Sequence, residues 1–184
     1  MIAGRFIDPE SLVFLDESGA KTNMTRLYGR SLRGDRVFDT VPHGHWGTTT
    51  MLSAIRLKGV IEPASLVYQG PTNAAVFLTY VEQCLAPNLK PGDLVVMDNL
   101  SSHKVKGVTE AIEAVGADVW YLPPYSPDFN PIEKMWSKVK AILRSIKARD
   151  FKTLVDAIAT ALREVTSSDL SGYFASCGYE CNQN

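Results

Sequence analysis

The sequence predicts an α/β domain in which one mixed sheet carries helices packed on its faces. Three observations lead there. The apolar runs SLVFLDES (11–18) and DLVVMDN (93–99) have the length and composition of buried strands. Residues 48–69 (TTTMLSAIRLKGVIEPASLVYQ) read as two strands joined at Lys58-Gly59, an antiparallel pair. Beyond Thr72, stripes of helical period alternate with further strand-like runs, and strands followed by alternating β and α give a mixed sheet flanked by helices. At 184 residues, 45% hydrophobic and 21% charged, the chain is sized for a single domain spanning 1–184. A domain of this size buries roughly 70% of its extended surface.

The elements follow in order. The first strand runs through 11–18 and ends in acids, with Asp16 at its end. Residues 25–41 are polar and punctuated by glycine, a loop or short hairpin. Thr72 to Leu85 places apolar side chains at 76, 77, 80, 81 and 85, a helix with Thr72 or Asn73 as its cap. After the strand at 93–99 comes a helix from about His103 to Val115, then a short strand at 118–122. Pro123, Pro124 and Pro127 make a stiff, non-helical connector, because each fixes its own φ and biases the residue before it towards extended backbone. The helix after Pro131 carries the stripe Ile132, Met135, Trp136, Val139, Ile142, Leu143 and Ile146, and a further helix spans about Phe151 to Val165.

Composition narrows the class of function. Three cysteines, Cys84, Cys177 and Cys181, are an odd number, which points away from a disulfide framework and towards a reducing compartment. No stretch approaches the ~20 apolar residues of a membrane span, and residues 1–20 lack the pattern of a signal peptide, so the expectation is a cytoplasmic protein with no membrane partner. The formal net charge is −1, yet residues 134–152 hold seven basic side chains against one acid, Asp150. That is a basic face on a neutral protein.

Three carboxylates stand in three settings: Asp16 and Asp98 at strand ends, Glu133 at a helix start. If the two strands are neighbours, their ends bring two acids together, and the proline connector swings the third over them. Carboxylates so placed repel unless protons or cations lie between them. Hard oxygen ligands favour Mg²⁺ or Mn²⁺ over zinc. Two such ions about 3.5 to 4 Å apart activate a nucleophile on one side of a phosphodiester and stabilise the leaving oxygen on the other. Each acid also has a purely structural reading. Asn130-Pro131-Ile132-Glu133 fits a capping box, and an aspartate at a strand end commonly begins a turn. Glu17 and Asn99, adjacent in the chain, point to the opposite face and rank as outer neighbours.

Counting from Glu133 along its helix, Ser137, Lys140 and Arg144 share one face, while Lys134 and Lys138 populate others. Cations there would meet the phosphates of a bound strand, a contact that positions DNA without reading its sequence. The alternative is an ordinary solvated helix surface.

FLDESG, then VVMDN followed by SSH, then LPPYSPDFNPIEKMW together resemble the catalytic core of DDE transposases of the mariner superfamily, especially the bacterial insertion-sequence branch. Between Asp98 and Glu133 lie 34 residues, the spacing of that superfamily's glutamate-bearing members. The resemblance runs from about Ser11 to the closing GYFASCGY. It implies a ribonuclease H-like fold, Asp16, Asp98 and Glu133 as ligands of two Mg²⁺ or Mn²⁺ ions, and Lys140 as the basic position after the glutamate. The implied reaction is nicking at an element's ends followed by attack of the freed 3′-hydroxyl on target DNA, by copies that pair when assembled on DNA. Full-length members carry an N-terminal helix-turn-helix, and only 15 residues precede Asp16 here. The expectation is that this region is absent or separately encoded, leaving weak, nearly sequence-independent DNA binding. The rival readings are a nuclease or resolvase without transposition and an inactive DNA-binding remnant.

Remaining polar residues have smaller parts. His43, His45, Cys177 and Cys181 lack zinc-site spacing and read as loop or packing residues. His103, five residues past Asp98, approaches the scissile phosphate or starts a helix. Trp136 belongs to the core stripe, and Arg30 and Arg33 to a solvated loop that could touch DNA.

Overall fold

Alternating apolar side chains on β1 (Leu12–Ala20) divide the protein into layers. The computed structural model describes residues 8–44, 47–124 and 126–179. Leu12 and Phe14 face one way, into a cluster with Ile132, Trp136, Val139, Leu154, Ile158, Leu170 and Phe174. Val13 and Leu15 face the other way, into a cluster with Phe77, Tyr80, Leu85, Val108 and Ile112. The period-two alternation of one strand thus separates two cores, each covered by its own helices.

The sheet has the order β3-β2-β1-β5-β6, and a further strand, β4, shares the outer edge of β2 with β3. β2 (Thr49–Arg56) is antiparallel to β1 and turns at Leu57-Lys58 into β3 (Gly59–Val60). The second of the two strands expected over 48–69, the one after Lys58-Gly59, is therefore in two pieces. Pro63 lies in a 3₁₀ turn, Glu62–Ala64, that breaks the ladder before β4 (Leu66–Gln69) rejoins β2, as a residue without an N–H donor would. β5 (Leu94–Met97) and β6 (Asp118–Tyr121) extend the sheet on the other side, parallel to β1.

One face carries α1 (Ala74–Tyr80), capped by Asn73 and continued by a π turn over Val81–Leu85, and α2 (Val108–Glu113). The helix expected from His103 starts later, since Ser101–Lys104 is a separate 3₁₀ turn and Gly107, at φ 104°, interrupts the path to α2. The opposite face carries α3 (Pro131–Ile146), α4 (Phe151–Arg163) and α5 (Ser167–Ser176). On α3 the predicted stripe is buried except at its end, where Ile142 is half-buried and Ile146 is exposed.

α5 was not expected from the sequence. It is opened by a reciprocal cap between Thr166 and Asp169, and Lys138 of α3 closes an ion pair on the same carboxylate. Leu170 and Phe174 anchor it, with Phe174 edge-on to Phe14 at 5.2 Å between ring centres. The segment between β1 and β2 forms no strand or helix among its described residues. It is tied to the end of α3 by Lys147 on Asp39 and by Arg149, which donates to the carbonyls of Thr22 and Met24. Leu27, Tyr28, Leu32 and Phe38 on this segment are exposed. No described helix is long and apolar enough to cross a membrane.

Because Phe174 seats α5 against the central strand, Phe174→Ala is expected to destabilise the fold by about 3–5 kcal/mol. Urea unfolding measures this, and a change near zero would show α5 to be a peripheral addition.

Candidate active site

The site begins where β5 stops. β1 pairs with β5 only from Leu12 to Phe14, whereas its pairing with β2 continues to Ala20. Asp16 is therefore in mid-strand, opposite Ser53, rather than at a strand end as the sequence suggested. The change from apolar to polar residues at this point marks the loss of the β5 neighbour, not the end of β1. Continuing the β1/β5 register, Leu12 with Leu94 and Phe14 with Val96, sets Asp16 level with Asp98, the first residue beyond β5. Alternation turns Asp16 to the face shared by Leu12 and Phe14, where α3 packs. The cleft thus opens at the carboxyl ends of parallel strands, where open α/β sheets bind ligands.

The proline connector builds its wall. Asp16, Asp98 and Glu133 line a cleft of about 400 Å³ together with Leu122, Pro123, Pro124, Pro127 and Asn130. Glu133 stands exposed in the first turn of α3. It is not the partner in a capping box: Asn130 makes no side-chain cap, and its Oδ1 is buried without a hydrogen-bond partner. Asn99 also lines the cleft, since β5 has ended and strand alternation no longer governs it. Glu17, as expected, is not among the lining residues.

Electrostatics distinguish the two aspartates. Asp16 is 5% exposed, and its Oδ2 has no hydrogen-bond partner. Burial pushes its carboxyl well above the ordinary carboxylate range, and the charges of Glu133 and Asp98 push it further. For Asp98 burial also acts upward, but the His103 imidazole and the Leu100 N–H more than offset it and hold the carboxyl below the ordinary value. His103 Nδ1 lies 2.6 Å from Asp98 Oδ1, in ion-pair range though not in the alignment of a straight N–H···O bond.

Two buried oxygens with no donor, on Asp16 and Asn130, beside two further carboxylates form a hard-oxygen set of the kind that suits Mg²⁺ or Mn²⁺. The acids share the cleft without closing on one point. Among the described residues, no three His, Cys, Asp or Glu side chains are gathered into a ready metal cage. The zinc alternative gains nothing: Cys177 is a buried free thiol, and His45 and Cys181 lie outside the described residues.

The basic residues separate by face. Lys140 and Arg144 continue the row begun by Glu133 and, with exposed Lys134, have no ion-pair partner among the described residues. Lys138 is turned to Asp169 of α5, and this neutralises it. Arg30 and Arg33 are exposed on the segment between β1 and β2, and Trp136 is core. Two features of the site went unseen in the sequence: the orphan oxygen of Asn130, which a capping-box pattern disguised, and the contact of His103 with Asp98, for which a five-residue offset gave no direction.

Asp16→Asn is expected to raise the melting temperature of protein held in EDTA at pH 7. A carboxyl whose folded pKa is raised burdens the fold while ionised, and that burden is relieved as the pH falls through the raised value. The advantage of the variant should therefore shrink in acid. A variant that melts below the native protein at pH 7 would contradict this account of the cleft.

The paired-end complex of Mos1 mariner transposase with Mn superposes with a TM-score of 0.74 at 17% identity, covering 92% of this chain and 53% of that one. The Mos1 paired-end complex with the left transposon end gives 0.72 at 16%, covering 91% and 52%. The isolated Mos1 catalytic domain gives 0.65 at 15%, covering 92% and 78%. These likenesses show a ribonuclease H-like fold, and the chain spans about half the length of the first two relatives. No curated protein matches the sequence. The family described as DDE superfamily endonuclease matches residues 11–155, a span that takes in all three acids, the proline connector and α3. The chain belongs to the DDE superfamily endonucleases.

Proposed function

We propose that this chain is the catalytic domain of a transposase of the bacterial insertion-sequence branch of the mariner superfamily. In this reading it nicks DNA at an element's ends and joins the freed 3′-hydroxyl to target DNA. The observation that carries the reading is the shared orientation of Asp16, Asp98 and Glu133 into one cleft, with a buried carboxylate oxygen of Asp16 left without a donor. Support comes from the family and from relatives whose names describe paired-end complexes with a transposon end and with Mn.

In this reading Asp16, Asp98 and Glu133 hold two divalent cations, Mg²⁺ or Mn²⁺, with Asn130 facing the same space. The chemistry those ions supply when bound is activation of the attacking oxygen and stabilisation of the leaving one. The protein's own part is positioning. β1 fixes Asp16 through its pairing with β2, His103 holds Asp98, and the connector sets the entry of α3 and hence Glu133. Lys140 and Arg144, in line with Glu133, receive backbone phosphates, with Lys134 at the margin. Lys138 contributes less, because Asp169 already neutralises it. Sequence-specific recognition of element ends is assigned to a helix-turn-helix outside residues 8–179, on the same polypeptide or a separate subunit. Copies pair on DNA, and the exposed apolar side chains between β1 and β2 are a surface that pairing would cover. The setting is the bacterial cytoplasm, at the nucleoid.

A second reading is a nuclease that cuts without joining, which the family description of an endonuclease satisfies equally. Replacing Asp98 by Asn is expected to abolish Mg²⁺-dependent nicking of a DNA duplex while circular dichroism stays unchanged, and nicking that survives removes Asp98 from the mechanism. Joining of a labelled 3′-end into a second duplex separates transposase from nuclease.

A further inference from the structure

The imidazole of His103 is used in a way the sequence left undecided. Its side chain is fully buried, so it does not reach a phosphate bound in the cleft. It lies stacked on Phe77 of α1, 4.1 Å between ring centres and 23° from parallel. Its backbone is fixed on both sides: its N–H donates to the Leu100 carbonyl, and its own carbonyl accepts from the Tyr121 hydroxyl at the end of β6. The ring is thus held by α1 and β6, away from the cleft, with one edge turned to Asp98. Among the described residues neither ring nitrogen meets hydrogen-bond geometry, but Nδ1 stands 2.6 Å from Asp98 Oδ1, close enough for a small turn of the carboxylate to bring it into line. Among the described residues that carboxylate is the acid paired with the ring.

We infer that His103 is a positioning residue for metal binding: Nδ1 engages one oxygen of Asp98, fixes the rotation of that carboxylate, and leaves the other oxygen for a cation in the cleft. The inference rests on the metal-site reading above. Asp98 needs such help more than Asp16 does, because Asp16 is inside a strand paired along β2, whereas Asp98 follows the last residue of β5 and has no ladder to hold it. Carboxylate ligands are oriented by outer hydrogen-bond partners, and loss of such a partner typically weakens metal affinity about 10- to 100-fold.

The donor and the ring can be separated by substitution. His103→Phe keeps an aromatic ring for the Phe77 stack and removes the donor. His103→Asn gives up the ring and keeps an amide donor near the Nδ1 position. The test is Mn²⁺ affinity of the full chain by electron paramagnetic resonance, with melting temperature measured alongside. H103F is expected to melt closer to the native protein yet bind Mn²⁺ at least about tenfold more weakly, while H103N melts lower and stays within about threefold. A merely structural histidine gives the reverse order, with H103F the better binder, and that result overturns the inference. Native-like Mn²⁺ affinity in H103F, or equal loss in both variants, overturns it as well. Should H103F not fold, His103→Gln, whose amide reaches towards Nε2 instead, takes its place with the same expected loss. Native protein whose Mn²⁺ binding is indifferent to Asp98→Asn would defeat the metal site itself, and this inference with it. Asp98-dependent binding without the His103 pattern defeats this inference alone.

Discussion

Like charges crowd at the edge of a buried strand, and the rest of the architecture is arranged around that constraint. Asp16 is almost removed from water, has an oxygen with no donor, and feels the charges of Glu133 and Asp98. Nothing in folding alone favours such a residue there. An isolated ionised carboxyl in a poorly hydrated site is disfavoured, and nearby acids make it worse. On the proposed reading, a cation bound in the cleft reverses the sign of the local field and accounts for a position that opposes stability in this way. Strained and destabilised groups gather at functional sites for this reason.

Three structural devices hold the unfavourable arrangement. The antiparallel ladder of β1 with β2 continues past the end of β5, so Asp16 stays in a rigid strand while the neighbouring edge opens into a cleft. The prolines between β6 and α3 form the wall, and the core stripe of α3 on Phe14 and its neighbours fixes the helix whose first turn carries Glu133. A ring buried on the opposite side of the sheet holds Asp98. Two independent cores, one on each face, thus carry a single polar site between them. The cations Lys140 and Arg144 of α3 extend outward from the same row as Glu133.

Much of this was legible because the strongest signals are local. The short continuous apolar runs gave β1 and β5, the i, i+3, i+4 stripe gave α3, and three prolines before Asn130 gave a directed connector. What escaped depended on neighbours distant in sequence. The polar end of FLDES looked like the end of a strand, because nothing local shows that β2 goes on pairing as far as Ala20. α5 was missed because Ser167–Ser176 buries only Leu170 and Phe174 fully, with Tyr173 half-buried beside them, a stripe of little more than one turn, and is secured by Lys138 from another helix. The same contact removes Lys138 from the free basic face, which a helical wheel of α3 alone does not reveal. Asn130 carried a capping signature, but with no side-chain cap its oxygen is left among the cleft residues.

The central claim is that Asp16, Asp98 and Glu133 are ligands of one divalent-cation centre. The most direct measurement is an anomalous difference map from crystals of the chain equilibrated with Mn²⁺. The account predicts peaks inside the cleft, with oxygens of all three carboxyls at about 2.1 Å from manganese, the distance typical of small hard cations. Manganese found only elsewhere on the surface, or a cleft in which the three carboxyls stay apart at saturating Mn²⁺, would contradict it.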